Sequence, residues 1–124
     1  MAATLLAACA TTKPADSVVR ERAQARWDAV LSADFDTAYS FLSPGYRSSH
    51  SRVDFEIALR TRRILWTSAT VQEVSCEADS CMVKTDVGYK VVKPLPGVNE
   101  WKSHDDLTER WVRTEGQWWY LPDK

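Results

Sequence analysis

Residues 107–121, LTERWVRTEGQWWYL, decide how this chain of 124 residues folds. The segment predicts two β-strands joined at 114–117, because Gly116 supplies the positive φ that a short hairpin turn needs. Successive side chains of a strand point to opposite faces, so Trp118 lies on one face and Trp119 on the other. Both faces need cover. We expect helices from earlier in the chain on one face, and a partner, a ligand or nothing on the other.

Length and composition predict one soluble domain with a core of ordinary size. Sixteen basic and seventeen acidic residues give a net charge of −1, so nucleic acid is not expected as a partner. Apolar residues make up 44% of the chain, yet no stretch approaches the roughly 20 apolar residues of a membrane span.

The N-terminus carries a short motif, Leu-Ala-Ala-Cys at 6–9, that resembles the bacterial lipobox. In that motif a signal peptidase cleaves before a cysteine that carries a diacylglycerol. Small apolar residues precede the motif, and a polar tether, ATTKPADS at 10–17, follows it. No Lys or Arg precedes the apolar run, and the run is shorter than in most signal peptides. The alternative interpretation is an apolar terminus without an anchor.

We therefore expect residues 1–16 to be a lipoprotein signal remnant and tether, with Cys9 as the lipidation site. Residues 17–124 are expected to form the folded domain. A lipid on Cys9 would make the membrane a partner and would place the protein in a bacterial cell envelope, on the periplasmic face of the outer membrane.

Two further cysteines enclose a tight turn in Cys-Glu-Ala-Asp-Ser-Cys at 76–81. In an oxidising compartment Cys76 and Cys81 are expected to form a disulfide, which for so short a loop contributes about 2 kcal/mol. In the cytosol they would stay buried thiols. A thioredoxin-like site needs Cys-x-x-Cys and a zinc site needs more ligands, so no metal or other cofactor is predicted.

Periodicity predicts three helices in the first half of the chain. The first runs from a cap at Asp16 or Ser17 to about Ser32, with Trp27 in the core and Arg26 on the polar side. The second is capped by Asp34 and ended by Ser-Pro-Gly at 43–45, and the third is capped by Ser51. Clustered arginines near the end of the third helix fit the helix dipole better than an anion-binding patch.

The second half of the chain reads as strands at 66–76, 81–92, 104–114 and 118–121. A bulge is expected in the first strand, because its apolar residues change parity between Val71 and Val74. Proline and glycine predict a loop at 93–103, long enough to act as a rim or lid. Helices followed by antiparallel strands indicate an α+β fold with helices packed on one face of the sheet.

Several segments resemble the nuclear transport factor 2-like superfamily: Trp27 in the first helix, ADFDTAY at 33–39, LSPGY at 42–46, and ERWVR followed by EGQW at 109–118. The resemblance implies a cone-shaped domain in which N-terminal helices pack on the concave face of a curved antiparallel sheet. It also implies an apolar pocket and frequent dimerisation through the sheet. The pocket residues expected on this basis are Tyr39, Tyr89, Glu109, Trp111 and Trp118.

The chain contains few groups that could transfer a proton. His50 and Asp54 are the best pair, with Tyr46 nearby, although His50 can also be an exposed loop residue ahead of a helix cap. Glu109 shares strand parity with Leu107 and Trp111. If that face is concave, the carboxylate needs a partner or a raised pKa; if it is convex, it is solvated.

A third polar cluster, His104-Asp105-Asp106, offers at most two converging ligands, too few for a metal site. The chain also lacks a phosphate-binding glycine loop, a serine nucleophile elbow and the HExxH motif.

Two functional hypotheses follow. The first is a non-enzymatic, lipid-anchored envelope protein that binds a small apolar or peptidic ligand or a protein partner. The alternative is a hydro-lyase or isomerase that uses His50, Asp54 or Glu109 as its base. We also expect a homodimer through the aromatic face of the sheet, because one helical layer cannot cover both Trp118 and Trp119.

Overall fold

The computed structural model describes residues 13–123, so the lipobox-like motif and Cys9 lie outside the described residues and the anchor stays a prediction. Four helices precede four strands: α1 (Ala15–Leu31), α2 (Phe35–Ser40), α3 (Pro44–Ser49), α4 (Arg52–Arg60), β1 (Ile64–Glu77), β2 (Ser80–Leu95), β3 (Val98–Thr114) and β4 (Gln117–Leu121). None of the helices in the described range has the length and apolar character needed to cross a membrane.

The strands form one curved antiparallel sheet in the order β1-β2-β3-β4, with the helices on its concave face. The predicted α+β fold is confirmed. Register shifts occur in β1 between Trp66 and Ser68 and between Val71 and Glu73. The second shift is the predicted bulge, and it brings both Val71 and Val74 onto the concave face.

The β3–β4 turn has the geometry predicted from Gly116. Glu115 and Gly116 adopt φ values of 56° and 76°, and Thr114 pairs with Gln117. Positive φ at both central residues is the geometry of the type I′ turns that match the right-handed twist of paired strands. The positive φ at Glu115 is not predictable from residue type, because glutamate rarely adopts it.

The predicted loop at 93–103 is wrong. β2 and β3 stay paired out to Leu95 and Val98, so this region is the far end of a long hairpin closed by a turn at 96–97, with Gly97 at φ 84°. The register shifts between Val92 and Leu95. A proline lies between these two residues, and it has no backbone N–H to donate to the ladder. Proline here produces an irregularity in the ladder and does not end the strand.

The helix starts differ from prediction in two places. α1 begins at Ala15 after Pro14, without a side-chain cap, so Asp16 lies in the first turn, where its charge complements the helix dipole. Pro44 starts an additional helix, α3, at whose N-terminus the Ser43 side chain accepts from the Tyr46 amide. The predicted caps Asp34 and Ser51 are confirmed.

α1 packs along the concave face and supplies much of the core. Val19, Ala23 and Trp27 are buried, and the Trp27 ring meets Trp66 edge-on with 5.4 Å between centroids. Trp111 and Trp118 are buried in the cluster beneath the start of α1. The prediction that Trp27 enters the core is therefore confirmed.

Side chains and a short backbone segment cover parts of the two sheet edges. On β1, Arg20 donates to the carbonyls of Val71 and Gln72 at 3.2 Å, and Gln24 donates to Ala69 at 3.0 Å. On β4, the Ser43 amide donates to the Tyr120 carbonyl at 2.9 Å and the Tyr120 amide donates to the Phe41 carbonyl at 2.8 Å. These contacts satisfy backbone groups that would otherwise be open to pairing.

The convex face differs from expectation because its exposed surface is largely charged. Cross-strand pairs there include Lys84 with Asp106 at 3.7 Å and Lys90 with Glu100 at 3.8 Å. Trp119 is half-buried, with the Arg22 and Arg47 guanidinium carbons 5.4 Å and 5.2 Å from its ring centroid. Dimerisation through this face stays a prediction, but Trp119 itself does not need a second copy for cover.

At the opposite end of the sheet from the 96–97 turn, Cys76 and Cys81 form the disulfide predicted from their spacing. They are register partners at the closed end of the β1–β2 hairpin. The bridge therefore closes the turn that leads into the central strand.

Candidate functional site

A cavity of about 260 Å³ lies between α1, the α3–α4 region and the concave face of the sheet. Its walls are mostly aliphatic and aromatic, and its polar groups belong to a few side chains. The lining residues are Arg26, Trp27, Val30, Leu42, Tyr46, His50, Asp54, Phe55, Ala58, Leu59, Arg62, Trp66, Leu107, Glu109, Tyr120 and Pro122. A concave apolar site with a small number of polar groups is the usual form of a small-molecule site.

The polar floor of the cavity is an ion pair between α1 and β3. One terminal nitrogen of Arg26 lies 2.6 Å from both carboxylate oxygens of Glu109, and the two side chains are 7% and 10% exposed. The Trp27 indole also donates to Glu109, at 3.0 Å. Glu109 is therefore on the concave face and has charged and neutral donors, which resolves the alternative that its strand parity left open.

Arg26 has an unused donor. Its Nε–H is buried and has no hydrogen-bond partner among the described residues, although its guanidinium carbon sits 3.9 Å from the centroid of the Tyr120 ring. A buried donor without a partner costs free energy, and a ligand acceptor could satisfy it. Because Nε is fully covered in this structure, an acceptor on a ligand in the cavity would reach it only after the covering side chains move.

Tyr120 contributes a hydroxyl close to the same ion pair. Burial, and then the nearby Glu109 carboxylate, raise the pKa of Tyr120 above its ordinary value near 10, while the Arg26 charge lowers it only in part. Tyr120 therefore keeps its proton at neutral pH and remains a hydrogen-bond donor.

The structure brings the three predicted catalytic candidates to one cavity. His50 and Asp54 come from the α3–α4 region, and Glu109 comes from the opposite wall. The His50 ring stacks on Tyr46 with 3.8 Å between centroids, and its Nδ1 lies 3.1 Å from the Tyr46 carbonyl. The Ser49 hydroxyl lies 3.0 Å from the same Nδ1, so this nitrogen either donates to the Tyr46 carbonyl or accepts from Ser49. The predicted proximity of Tyr46 to His50 is confirmed.

Four of the five residues expected to line the pocket are not among the lining residues of this cavity. Tyr39 donates its hydroxyl to the His50 carbonyl at 2.6 Å, and Tyr89 packs edge-on against Trp66 at 6.0 Å. Trp111 and Trp118 lie in the other core cluster, under the N-terminal half of α1. Only Glu109 of that set lines the cavity.

Sequence reasoning missed Arg26 as a site residue and placed it on the solvated side of α1. It is 6% exposed. The signal was present, because Arg26 follows Ala23 by three residues and Val19 by seven, which is the spacing of the apolar stripe. A basic residue in that stripe together with a carboxylate in an apolar strand pattern is the signature of a buried ion pair.

The acidic cluster near His104 lies on the sheet away from this cavity. His104 Nδ1 is 3.7 Å from an Asp86 carboxylate oxygen across the β2–β3 pair. Within residues 13–123 no group of three or more potential metal ligands comes together.

No model of a known protein family matches the chain, and no curated protein sequence matches it. Solved structures do. A proposed dehydratase of the NTF2-like family from Streptomyces avermitilis superposes with a TM-score of 0.57 at 16% identity, over 87% of this chain and 96% of that one.

Two other similar structures have different described activities. A proposed NTF2-like transpeptidase from Campylobacter jejuni has a TM-score of 0.53 at 11% identity, over 83% of this chain and 96% of that one. An LEH-like epoxide hydrolase from M. tuberculosis has a TM-score of 0.55 at 12% identity, over 89% and 80%. The fold is therefore NTF2-like, and at these identities the likeness concerns the fold alone.

Proposed function

We propose that this NTF2-like domain binds a small, largely apolar molecule in the cavity floored by Arg26 and Glu109, and that a lipid on Cys9 holds it in a bacterial envelope. The observation that supports binding is the combination of apolar walls with a buried ion pair whose Arg26 Nε–H has no partner in the described structure.

The charge of the floor favours a neutral ligand. Arg26 and Glu109 compensate each other, so an added anion or cation gains little from the pair. The Arg26 Nε–H is suited to a carbonyl, ether or hydroxyl oxygen once the side chains that cover it move, whereas the Tyr120 hydroxyl is engaged with Glu109. At about 260 Å³ the cavity is smaller than the sites of drug-sized ligands, so the guest is a compact molecule.

The hydrogen-bond partners of the Glu109 carboxylate support binding over catalysis by this residue. A general base needs an accessible lone pair and a site at which gaining a proton is easy. Both Glu109 oxygens already accept from Arg26, and one also accepts from Trp27, so protonation would break a buried ion pair. Glu109 is better suited to holding Arg26 in place than to taking a proton.

The test uses a pair of probes that differ in one acceptor. Saturation-transfer NMR is recorded with cyclohexanone and with methylcyclohexane, which lacks the oxygen. We expect transfer to cyclohexanone to be stronger, and to be lost in Leu59→Trp, which fills the cavity. Val53→Trp on the exposed side of the same helix is the matched control. Equal signals from both probes, or signals unchanged by Leu59→Trp, would refute the proposed site.

A second candidate function is a hydro-lyase or isomerase with His50 as the base. It is favoured by the presence of His50, Asp54 and Tyr46 on the same cavity wall. A proposed dehydratase and an epoxide hydrolase share the fold. Turnover of a hydroxy-acid and enone library that is abolished by His50→Gln would support it. Turnover unchanged in both His50→Gln and Asp54→Asn would remove it.

The anchor has its own test. Metabolic labelling with an alkynyl fatty acid in a bacterial host should label the protein on Cys9, and globomycin should leave the unprocessed precursor. Cys9→Ala is the control and should be unlabelled and recovered in the soluble fraction. Wild-type protein that carries no label would remove the lipid from the proposal while leaving the cavity unaffected.

A further inference from the structure

The outer edge of β3 is open over much of its length. β4 pairs with β3 only from Arg110 onward, and no strand within residues 13–123 pairs with the same edge between Val98 and Glu109. The edges of β1 and β4, by contrast, are partly covered by Arg20, Gln24 and the segment at 41–43. An unpaired row of backbone donors and acceptors is a template for another strand.

Exposed apolar side chains lie on β1, β2 and β3 at this end of the sheet. Trp101 is 60% exposed on β3, and its neighbours across the sheet are Val91 on β2 and then Ile64 on β1. Near the 96–97 turn, Val92, Leu95 and Val98 are also exposed. Val98 shares strand parity with Glu100 and not with Trp101, so these three side chains lie on the opposite face, and exposed apolar side chains flank this end of β3 on both faces of the sheet.

We propose that a second copy of this chain pairs with the open edge of β3 as an antiparallel strand, about a two-fold axis that passes through Trp101. Two-fold antiparallel pairing sets residue i of one copy opposite residue 202 − i of the other. Trp101 then faces Trp101 of the other copy, and Glu100 faces Lys102 twice. The two sheets become one continuous sheet with both concave faces on the same side.

The charged side chains of β3 favour this register over the registers with the axis at nearby residues. An axis through Glu100 sets two glutamates opposite each other, and an axis through Lys102 does the same with two lysines. An axis through Ser103 sets Glu100 opposite Asp106. Like charges directly opposite each other destabilise a strand pair, and opposite charges stabilise it. The axis through Trp101 avoids all three repulsions and adds an aromatic cross-strand pair.

The register with its axis through His104 also avoids like charges, since it sets Lys102 opposite Asp106. It carries the partner strand to Thr108, however, close to the C-terminal residues Pro122 and Asp123, which lie beside Thr108 and Glu109. It also separates the two Trp101 side chains. The open stretch from Val98 to His104 fits the axis through Trp101 without reaching that tail.

The first test is sedimentation equilibrium of the full chain carrying Cys9→Ala. We expect a concentration-dependent dimer. Lys102→Glu places like charges opposite each other twice and should weaken dimerisation roughly tenfold or more. The swap Glu100→Lys with Lys102→Glu restores opposite charges and should recover the wild-type dissociation constant. Lys84→Glu, on the same face but in β2, is the control and should dimerise like wild type.

The second test reads the register from cross-links. In the same Cys9→Ala background, Trp101→Cys should give a disulfide-linked dimer on mild oxidation, because the two residues are directly opposite. His104→Cys should not, because the two copies of that residue are separated by six positions along the strands. A wild-type monomer at several hundred micromolar, equal dimerisation of all charge variants, or cross-linking of His104→Cys alone would overturn the proposal. A wild-type protein that stays monomeric but binds an added extended peptide would also overturn the proposal.

Discussion

The Arg26 guanidinium nitrogen lies 2.6 Å from both Glu109 carboxylate oxygens, so one buried ion pair joins α1 to β3 beneath the cavity. The same pair is structural and functional. It fixes the helix on the sheet, and it leaves the Arg26 Nε–H as a donor without a partner in the described chain.

Removing one member of this pair should destabilise the domain strongly. Arg26→Met leaves Glu109 buried with only the Trp27 indole as a donor, and we expect a loss of about 3 to 5 kcal/mol in the free energy of unfolding. The double variant Arg26→Met with Glu109→Leu should be much less destabilised than the sum of the single variants. Urea unfolding of all four proteins measures the coupling. Additive losses would show that the pair is not coupled as the geometry requires.

The hydrogen bond from the Trp27 indole to Glu109 can be tested independently of the ion pair. Trp27→Phe keeps most of the packing with Trp66 but removes a hydrogen bond to a charged acceptor, which should cost about 1.5 to 3 kcal/mol including the lost volume. Trp66→Phe, which removes a tryptophan from the same contact without touching Glu109, is the control and should cost less. A larger loss in the control would contradict the role given to the indole.

Tyr120 should make the domain sensitive to alkaline pH. Because burial raises its pKa in the folded state, the unfolded chain releases this proton first as pH rises. The tyrosine's contribution is therefore complete below about pH 10 and is lost above it, at up to about 1.36 kcal/mol per pH unit. Urea unfolding from pH 8 to 11.5 should show a shallower decline in Tyr120→Phe than in wild type. Tyr89→Phe, a half-buried tyrosine outside the cavity, should decline like wild type.

The Cys76–Cys81 bridge should contribute modestly to stability. The chain-entropy estimate for so short a loop is about 2 kcal/mol, which the Cys76→Ala, Cys81→Ala double variant should lose together with some buried contact of Cys81. Dithiothreitol should lower the unfolding midpoint of wild type and leave that of the double variant unchanged. Equal responses of the two proteins to the reductant would contradict this.

The turn between β3 and β4 offers a stabilising substitution. Glu115 adopts a positive φ of 56° that glutamate tolerates poorly, whereas asparagine is favoured before glycine in a type I′ turn. Glu115→Asn should raise the free energy of unfolding by a few tenths to about 1 kcal/mol. Glu115→Gln, which changes the charge without improving the turn, is the control and should change it less.

Much of the architecture can be predicted from local sequence patterns. Alternation through β2, the glycine at 116 and the caps at Asp34 and Ser51 each act on their own segment, so the sequence predicts the elements and their order. The hairpin end at 93–103 is not predictable in this way, because proline suggests a break, whereas a register irregularity in a long hairpin accommodates it.

The site was only partly readable for a different reason. Parity places Glu109 with Trp111, but only the packing of α1 shows which face is concave, and Arg26 looks like a solvated charge until its partner is known. His50 and Asp54 were identified from residue type and spacing, which local pattern can supply. Contacts between residues 83 positions apart depend on the tertiary fold.

The most direct measurement is a two-dimensional ¹H–¹⁵N NMR titration of the protein with cyclohexanone, following the Arg26 Nε–H and Trp27 indole resonances. We predict saturable shifts of both signals, absent in Leu59→Trp and present in Val53→Trp. A titration that leaves both signals unmoved, or that moves them equally in Leu59→Trp, would contradict the claim that this cavity is the ligand site.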